Sequence, residues 1–298
     1  MPSSTQGRAV LLLLSALVCL ILLDASGKWL GMRGVPVPAI AWSRYLGHLL
    51  VVLAVFMPSR GLSILKTAHP FRQGMRGLLM VTITMLYFAA LKTMPLAQGA
   101  AVFFTTPILV TVFATLFLGE RPAWQTWAAV ALGFAGVLVI IRPGSDLPLA
   151  GSLLVLGAAA GNAAYQTLTR AQAHADSPEV QVLYSGLAGA AIMTLAAPLW
   201  WTPGWWEIPG MRALDWAVFG MMGVLGSAGH LLLARAYGLA PASRLSPWSY
   251  LQMLLSIPIG WLVFGNLPDA IALLGMVMIA ISPNLTLLRQ RRAPPSAA

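Results

Sequence analysis

The chain has 298 residues, of which 58% are hydrophobic and 9% charged, with a formal net charge of +10 and a mean hydropathy of +0.80. Soluble domains carry about 25% charged residues and a single soluble core stops growing near roughly 250–300 residues, so a water-soluble fold is excluded and lipid is the solvent. The basic residues fall between apolar runs, where they set membrane topology, and no nucleic-acid partner is expected.

A helix needs about 20 apolar residues to cross the hydrocarbon layer. Ten spans are predicted, at 9–30, 38–57, 75–93, 96–117, 124–141, 149–170, 180–200, 214–236, 241–264 and 268–288. The first follows Arg8. Its stretch from Ala9 to Leu23 has the length of a secretory leader, but Asp24 and Lys28 read as embedded polar residues, so it is taken as a span. Cys19 is the only cysteine, which excludes an internal disulfide and a thiolate metal cage. Arg44 and His48 lie in the second span, four apart like Asp24 and Lys28, so each pair occupies one helix face. At a rise of about 1.5 Å per residue, Asp24 and Arg44 both lie about 9 Å inside the outer boundary, with His48 one turn deeper.

Tyr87 falls in the third span; Gln98, Phe103, Phe104 and Pro107 in the fourth; Asn162, Tyr165 and Gln166 in the sixth. His230 and Arg235 lie toward the cytoplasmic end of the eighth span, and Arg244, Pro247, Trp248, Tyr250 and Pro258 in the ninth. Arg235 and Arg244 read most simply as snorkelling anchors. The prolines permit kinks, which in spans four and nine suit gating. Residues 289–298 form a short basic tail.

With the N-terminus inside, the cytoplasmic loops and ends hold Arg8, Arg60, Lys66, Arg72, Arg76, Arg121, Arg170, Arg235, Arg289, Arg291 and Arg292. The opposite side holds Lys28, Arg33, Lys92, Arg142 and Arg212. This bias predicts an inner-membrane protein with both termini cytoplasmic. Trp200, Trp201, Trp205, Trp206 and Trp216 then gather on the outer side, as an aromatic belt or a substrate vestibule.

An offset of 146 positions brings Pro95 onto Pro241, Gly119 onto Gly265 and Pro122 onto Pro268 without a gap. Each copy holds five spans, and an odd number inverts the second copy in the membrane, as in alternating-access carriers. The stretches Pro95-Leu-Ala-Gln-Gly-Ala-Ala, Thr106-Pro107, Leu118-Gly-Glu-Arg-Pro122 and Gly133-Phe-Ala-Gly136-Val-Leu-Val resemble the end of an EamA domain of the drug/metabolite transporter superfamily. The resemblance covers the chain as two tandem repeats, 1–143 and 147–288, followed by the cytoplasmic tail. It implies an all-α membrane transporter of about ten helices, built as an inverted repeat. The second copy departs from the pattern, with Gly265-Asn266 where Gly-Glu often stands.

Charged groups inside a span are costly and normally face the protein interior. Asp24 and Arg44 have two readings. They form a structural ion pair, or Arg44 holds a substrate carboxylate with its planar fork while Asp24 binds a substrate amine or carries a coupling proton. His48 is a proton relay or hydrogen-bonded scaffolding, with His230 the fallback carrier. Tyr87, Phe103, Asn162, Tyr165, Gln166, Trp248 and Tyr250 complete a candidate substrate pocket, the aromatic rings suiting a planar or cationic ligand. The amides serve equally as interhelical glue.

No metalloprotease, paired-carboxylate or phosphate-loop motif occurs, so no enzyme, cofactor or metal site is expected, and transport must draw on a gradient or on exchange. The expected function is secondary transport of a small amino-acid-like or amino-acid-derived metabolite, such as a free amino acid or metallophore, as an exporter, with protons a possible coupling ion. The alternatives are uptake of a vitamin such as riboflavin, or a structural or sensing membrane protein.

Overall fold

Lipid offers the backbone no hydrogen bonds, so a chain of this composition satisfies its N–H and C=O groups within helices. The computed structural model describes residues 4–118, 124–142, 148–171, 176–204, 206–239 and 251–282, and its regular elements there are helical. In chain order they are α1 (Ser4–Met32), α2 (Val37–Arg60) with a 3-10 turn at Gly61–Leu65, α3 (Pro70–Leu91), α4 (Leu96–Phe103) and α5 (Thr106–Leu118). There follow α6 (Trp124–Ile141), α7 (Leu149–Ala171), α8 (Pro178–Leu195), the short α9 (Ala197–Trp200), α10 (Ala213–Leu239), α11 (Leu251–Phe264) and α12 (Ala270–Ile281). Among the described residues, five stretches are by themselves long and apolar enough to cross a membrane: Gly7–Met32, Val37–Leu65, Pro70–Leu91, Leu96–Phe117 and Ala213–Leu233.

The fourth predicted span is broken into α4 and α5 immediately before Pro107. Proline cannot donate to the carbonyl one turn back and its ring crowds it. The carbonyls freed at the break are taken up by threonines: Thr105 Oγ1 donates to Val102 O at 2.7 Å and Thr106 Oγ1 to Phe103 O at 2.8 Å. Pro258 sits within α11 without interrupting it. Pro247 and the Glu120–Pro122 turn lie outside the described residues.

The main packing contacts cross between the two halves and occur in exchanged pairs. α1 packs on α10 as α7 packs on α3; α2 packs on α10 as α8 packs on α3; α2 meets α8, and α6 meets α12. This is the arrangement of an inverted repeat. The same 146-residue offset carries Gly74-Met75-Arg76-Gly77-Leu78-Leu79 in α3 onto Gly220-Met221-Met222-Gly223-Val224-Leu225 in α10. Small residues let the crossing helices approach. A Cβ on Gly223 would lie 2.3 Å from the Gly47 backbone, and one on Gly77 2.2 Å from the Ala188 Cβ. The α2–α10 contact is also polar: Ser43 Oγ donates to Phe219 O, and Ser227 Oγ reaches His48 O at 3.4 Å.

Hydrogen-bonded clamps join the halves at each end of the bundle. Where α7 leads to α8, Asp176 accepts from Thr67 Oγ1 at 2.7 Å, Gln73 Nε2 at 2.7 Å and Ala68 N at 3.3 Å. Desolvation pushes the Asp176 carboxyl up, but these donors outweigh it and hold it below its ordinary value. At the other end Asp215, at the start of α10, accepts from Trp29 Nε1 at 2.7 Å and Arg212 N at 2.8 Å, with Arg33 Nε at 3.8 Å. Arg142 pairs with Asp269 at 2.6 Å. The first two clamps are equivalent in the repeat, each tying the end of one half's first helix to the start of the other half's third.

Candidate functional site

Arg44 occupies the middle of the α1–α2–α3–α10 packing. Its Nη1 donates to Thr84 Oγ1 on α3 at 2.9 Å, and its Nη2 lies 3.5 Å from His230 Nε2 on α10. The guanidinium also stands 5.4 Å from the Tyr45 ring and 5.8 Å from the Phe88 ring, a cation–π setting. Thr84 is itself fixed by Tyr45, whose hydroxyl lies 2.6 Å from Thr84 Oγ1 and donates to Met80 O at 2.7 Å.

Asp24 on α1 lies close enough to interact electrostatically with Arg44 and Tyr87. It does not reach the guanidinium: no carboxylate oxygen is within the 4.0 Å of an ion pair. Among the described residues Asp24 has no hydrogen-bond or ion-pair partner. The matched depths therefore bring the charges into one region without pairing them, because Thr84 and His230 draw the guanidinium toward α3 and α10. Among the described residues, an unpaired carboxylate thus stands near a cation whose hydrogen bonds go to neutral acceptors.

His48 is buried and its Nε2 donates to Val182 O on α8 at 3.2 Å. Its ring lies 6.0 Å from that of His230, so a second imidazole adjoins the guanidinium. Tyr87 is buried, with its ring 4.9 Å from that of Phe103; these two supply an aromatic wall.

The other candidates are dispersed. Asn162 makes a long 3.5 Å contact to Thr106 Oγ1, joining α7 to the α4–α5 break. Tyr165 accepts from Arg76 Nη2 at 2.8 Å, with the guanidinium 4.9 Å from its ring. Arg76 Nη1 donates to Gln73 Oε1 at 2.8 Å, and Gln73 in turn donates to Asp176. Tyr165 thus belongs to the chain of contacts that ends in the Asp176 clamp. Gln166 is exposed on α7. Trp248 and Tyr250 lie outside the described residues, as does Arg244.

Sequence reasoning passed over Thr84, Tyr45 and Phe88, which carry no charge and look like ordinary span residues. It placed Arg76 among the loop charges, whereas α3 begins at Pro70 and buries it. His230 was expected near a helix end; α10 starts at Ala213 and runs to Leu239, which sets it against Arg44. One signal was available: the 146-residue offset carries Thr84 onto His230. Lys28 is buried and caps the end of α3, with Nζ donating to Leu91 O at 2.9 Å and Met94 O at 2.6 Å.

Comparison with known proteins agrees with this architecture. A family model described as EamA-like transporter family matches residues 7–142 and 149–288. A riboflavin transporter of Rhizobium johnstonii is 30% identical over 275 residues, covering 90% of this chain and 86% of that protein. An S-adenosylmethionine uptake transporter of Rickettsia felis is 26% identical, covering 91% and 89%. A pseudopaline exporter of Pseudomonas aeruginosa is 26% identical, covering 80% and 81%. A crystal structure with 22% identity shares the fold at a TM-score of 0.63, covering 96% of this chain and 98% of that chain.

Proposed function

The chain belongs to the EamA-like transporter family and is a multi-pass membrane transporter; on that premise we propose that its cargo is a small amino-acid-derived metabolite bearing a carboxylate and a cationic group. The observation that carries this reading is that, among the described residues, Asp24 has no hydrogen-bond or ion-pair partner while the Arg44 fork hydrogen-bonds only to Thr84 and His230. A ligand with an α-carboxylate and an amine completes both charges at once: the carboxylate docks on Arg44 as a charge-assisted pair, and the amine or another cation faces Asp24. Tyr87 and Phe103 line the site for the rest of the molecule. The named cargo of the Rickettsia relative, S-adenosylmethionine, has these groups.

The second reading is uptake of a flavin. It draws on the Tyr87–Phe103 ring pair and on the Rhizobium relative's name, but riboflavin carries neither the carboxylate nor the cation that Arg44 and Asp24 would meet.

Purified protein in liposomes separates the two readings. Accumulated S-adenosylmethionine is expected to exchange with unlabelled carboxylate-bearing amino-acid derivatives and to be insensitive to riboflavin. Riboflavin transport that survives Arg44→Gln would replace the amino-acid reading with the vitamin one. Direction, export by the sequence expectation, follows from metabolite levels in medium and cytosol of a deletion strain and an overproducer.

The orientation we propose has both termini on the cytoplasmic side of the inner membrane, from the positive-residue bias. Reporter fusions after residue 298 and within residues 58–69 are expected to read cytoplasmic, and one near residue 205 external. A cytoplasmic signal at 205 overturns this orientation.

A further inference from the structure

The two residues that hold Arg44 are equivalent in the inverted repeat. Thr84 on α3 and His230 on α10 are related by the offset that superposes Gly77 on Gly223, and they take Nη1 and Nη2 of one guanidinium. Arg44 thus rests between matching points of the two halves. The two points differ in one chemical respect: the threonine cannot gain a charge, and the histidine can.

Arginine has only donors, so the His230 nitrogen facing Nη2 must be an acceptor. The imidazole is then neutral with its proton on Nδ1 while Arg44 is seated there. His48 is fixed the other way, because its Nε2 faces a carbonyl, which can only accept. Among the described residues, the titratable or charged groups acting on His230 are Arg44 and His48, both on α2. α1 and α8, which also pack on α10, add none; Asp24 on α1 acts on Arg44 instead.

We propose that a substrate carboxylate and His230 exchange places on Arg44, and that His230 binds a proton as they do. The carboxylate accepts from Nη2, which releases the Nε2 lone pair. That lone pair takes a proton from water on the side to which the site is open, and the new Nε2–H donates to the same carboxylate. When the substrate leaves on the other side, Nε2 gives its proton to water there and Arg44 returns to it. No bond to carbon is made or broken; one carboxylate and one proton cross together. His230 is a positioning residue in the empty site and the proton carrier in the loaded one, leaving Asp24 to meet the substrate cation. This inference rests on the carboxylate reading of Arg44.

Two measurements on the full chain in lipid nanodiscs test it. With nitrogen-15-labelled histidine and the His230→Gln spectrum for assignment, the ligand-free wild type is expected to show His230 neutral and protonated on Nδ1. A charged ring, or the proton on Nε2, overturns the proposal without any substrate. In the second measurement, calorimetry in buffers of different ionisation enthalpy counts protons taken up with S-adenosylmethionine as the probe. At pH between the empty imidazole's titration and the loaded one's, wild type is expected to take up about one proton per molecule bound, so that affinity strengthens about tenfold per unit fall in pH. His230→Gln is expected to bind with no uptake. Uptake that persists in His230→Gln, or is absent from a wild type that binds the probe, rejects the exchange. A wild type that binds neither this probe nor other carboxylate-bearing amino-acid derivatives rejects the cargo reading itself.

Discussion

Arg44→Gln is expected to lower transport by roughly a hundredfold or more while the protein still inserts and folds. A hydrogen bond to a charged group is worth about 1.5–3 kcal/mol, and two from one fork give at least about 3 kcal/mol, where every 1.4 kcal/mol is tenfold. Folding is expected to survive because Arg44 forms no ion pair among the described residues. Thr84 keeps its contact with Tyr45, and glutamine can still donate toward Thr84. Arg44→Lys keeps the charge but loses the planar fork, so it is expected to recover only part of the loss. The charge-swapped variant, Asp24→Arg with Arg44→Asp, is expected to remain inactive, since the two residues share a region without touching. Liposome transport measured alongside the yield of monodisperse protein checks all three. Full transport in the swapped variant would return Asp24 and Arg44 to a purely structural role.

The second large effect is expected from Gly223→Ala. The added Cβ would lie 2.3 Å from both Cα and C of Gly47 and 2.6 Å from His48 N. These are backbone atoms and cannot turn aside as a side chain can, so α2 and α10 must separate. Overpacking of this kind costs about 1–3 kcal/mol and occasionally more, and the upper end is expected because the contact is main chain against main chain. Separation would also pull Ser43 from Phe219 O and draw Arg44 away from His230. Transport is therefore expected to fall along with thermal stability in detergent. Gly220→Ala, one turn earlier with nothing within 4 Å of its added Cβ, is expected to leave stability unchanged. Helix propensity favours alanine over glycine at both positions, so equal loss in both variants would mean that the close approach to Gly47 does not set the outcome.

Much of the fold was legible because lipid writes its demands locally. Ten apolar runs, the alternation of basic loops and the 146-residue offset are properties of neighbouring residues or of simple spacing, and the helices follow them. The break between α4 and α5 was likewise readable from Pro107, because the missing donor is a property of that residue. The proximity of Asp24, Arg44 and His48 also follows the helical rise, which sets them at neighbouring levels of adjacent helices.

Partner choice was not legible. Arg44 finds Thr84 at 40 positions along the chain and His230 at 186, and neither separation leaves a mark on the sequence around Arg44. Two charges at equal depth suggested an ion pair, yet depth fixes only one coordinate of a side chain; the rotation of each helix and the identity of its neighbour fix the others. Those are decided where Gly47 meets Gly223 and Gly77 meets Ala188, since only there can backbones approach closely enough to lock one helix against the next. The sequence by itself determined an inverted repeat of about ten helices with charges inside the apolar runs. The tertiary packing alone decided that Arg44 turns to a threonine and a histidine from equivalent points of the two halves, leaving Asp24 beside it with no ion pair among the described residues.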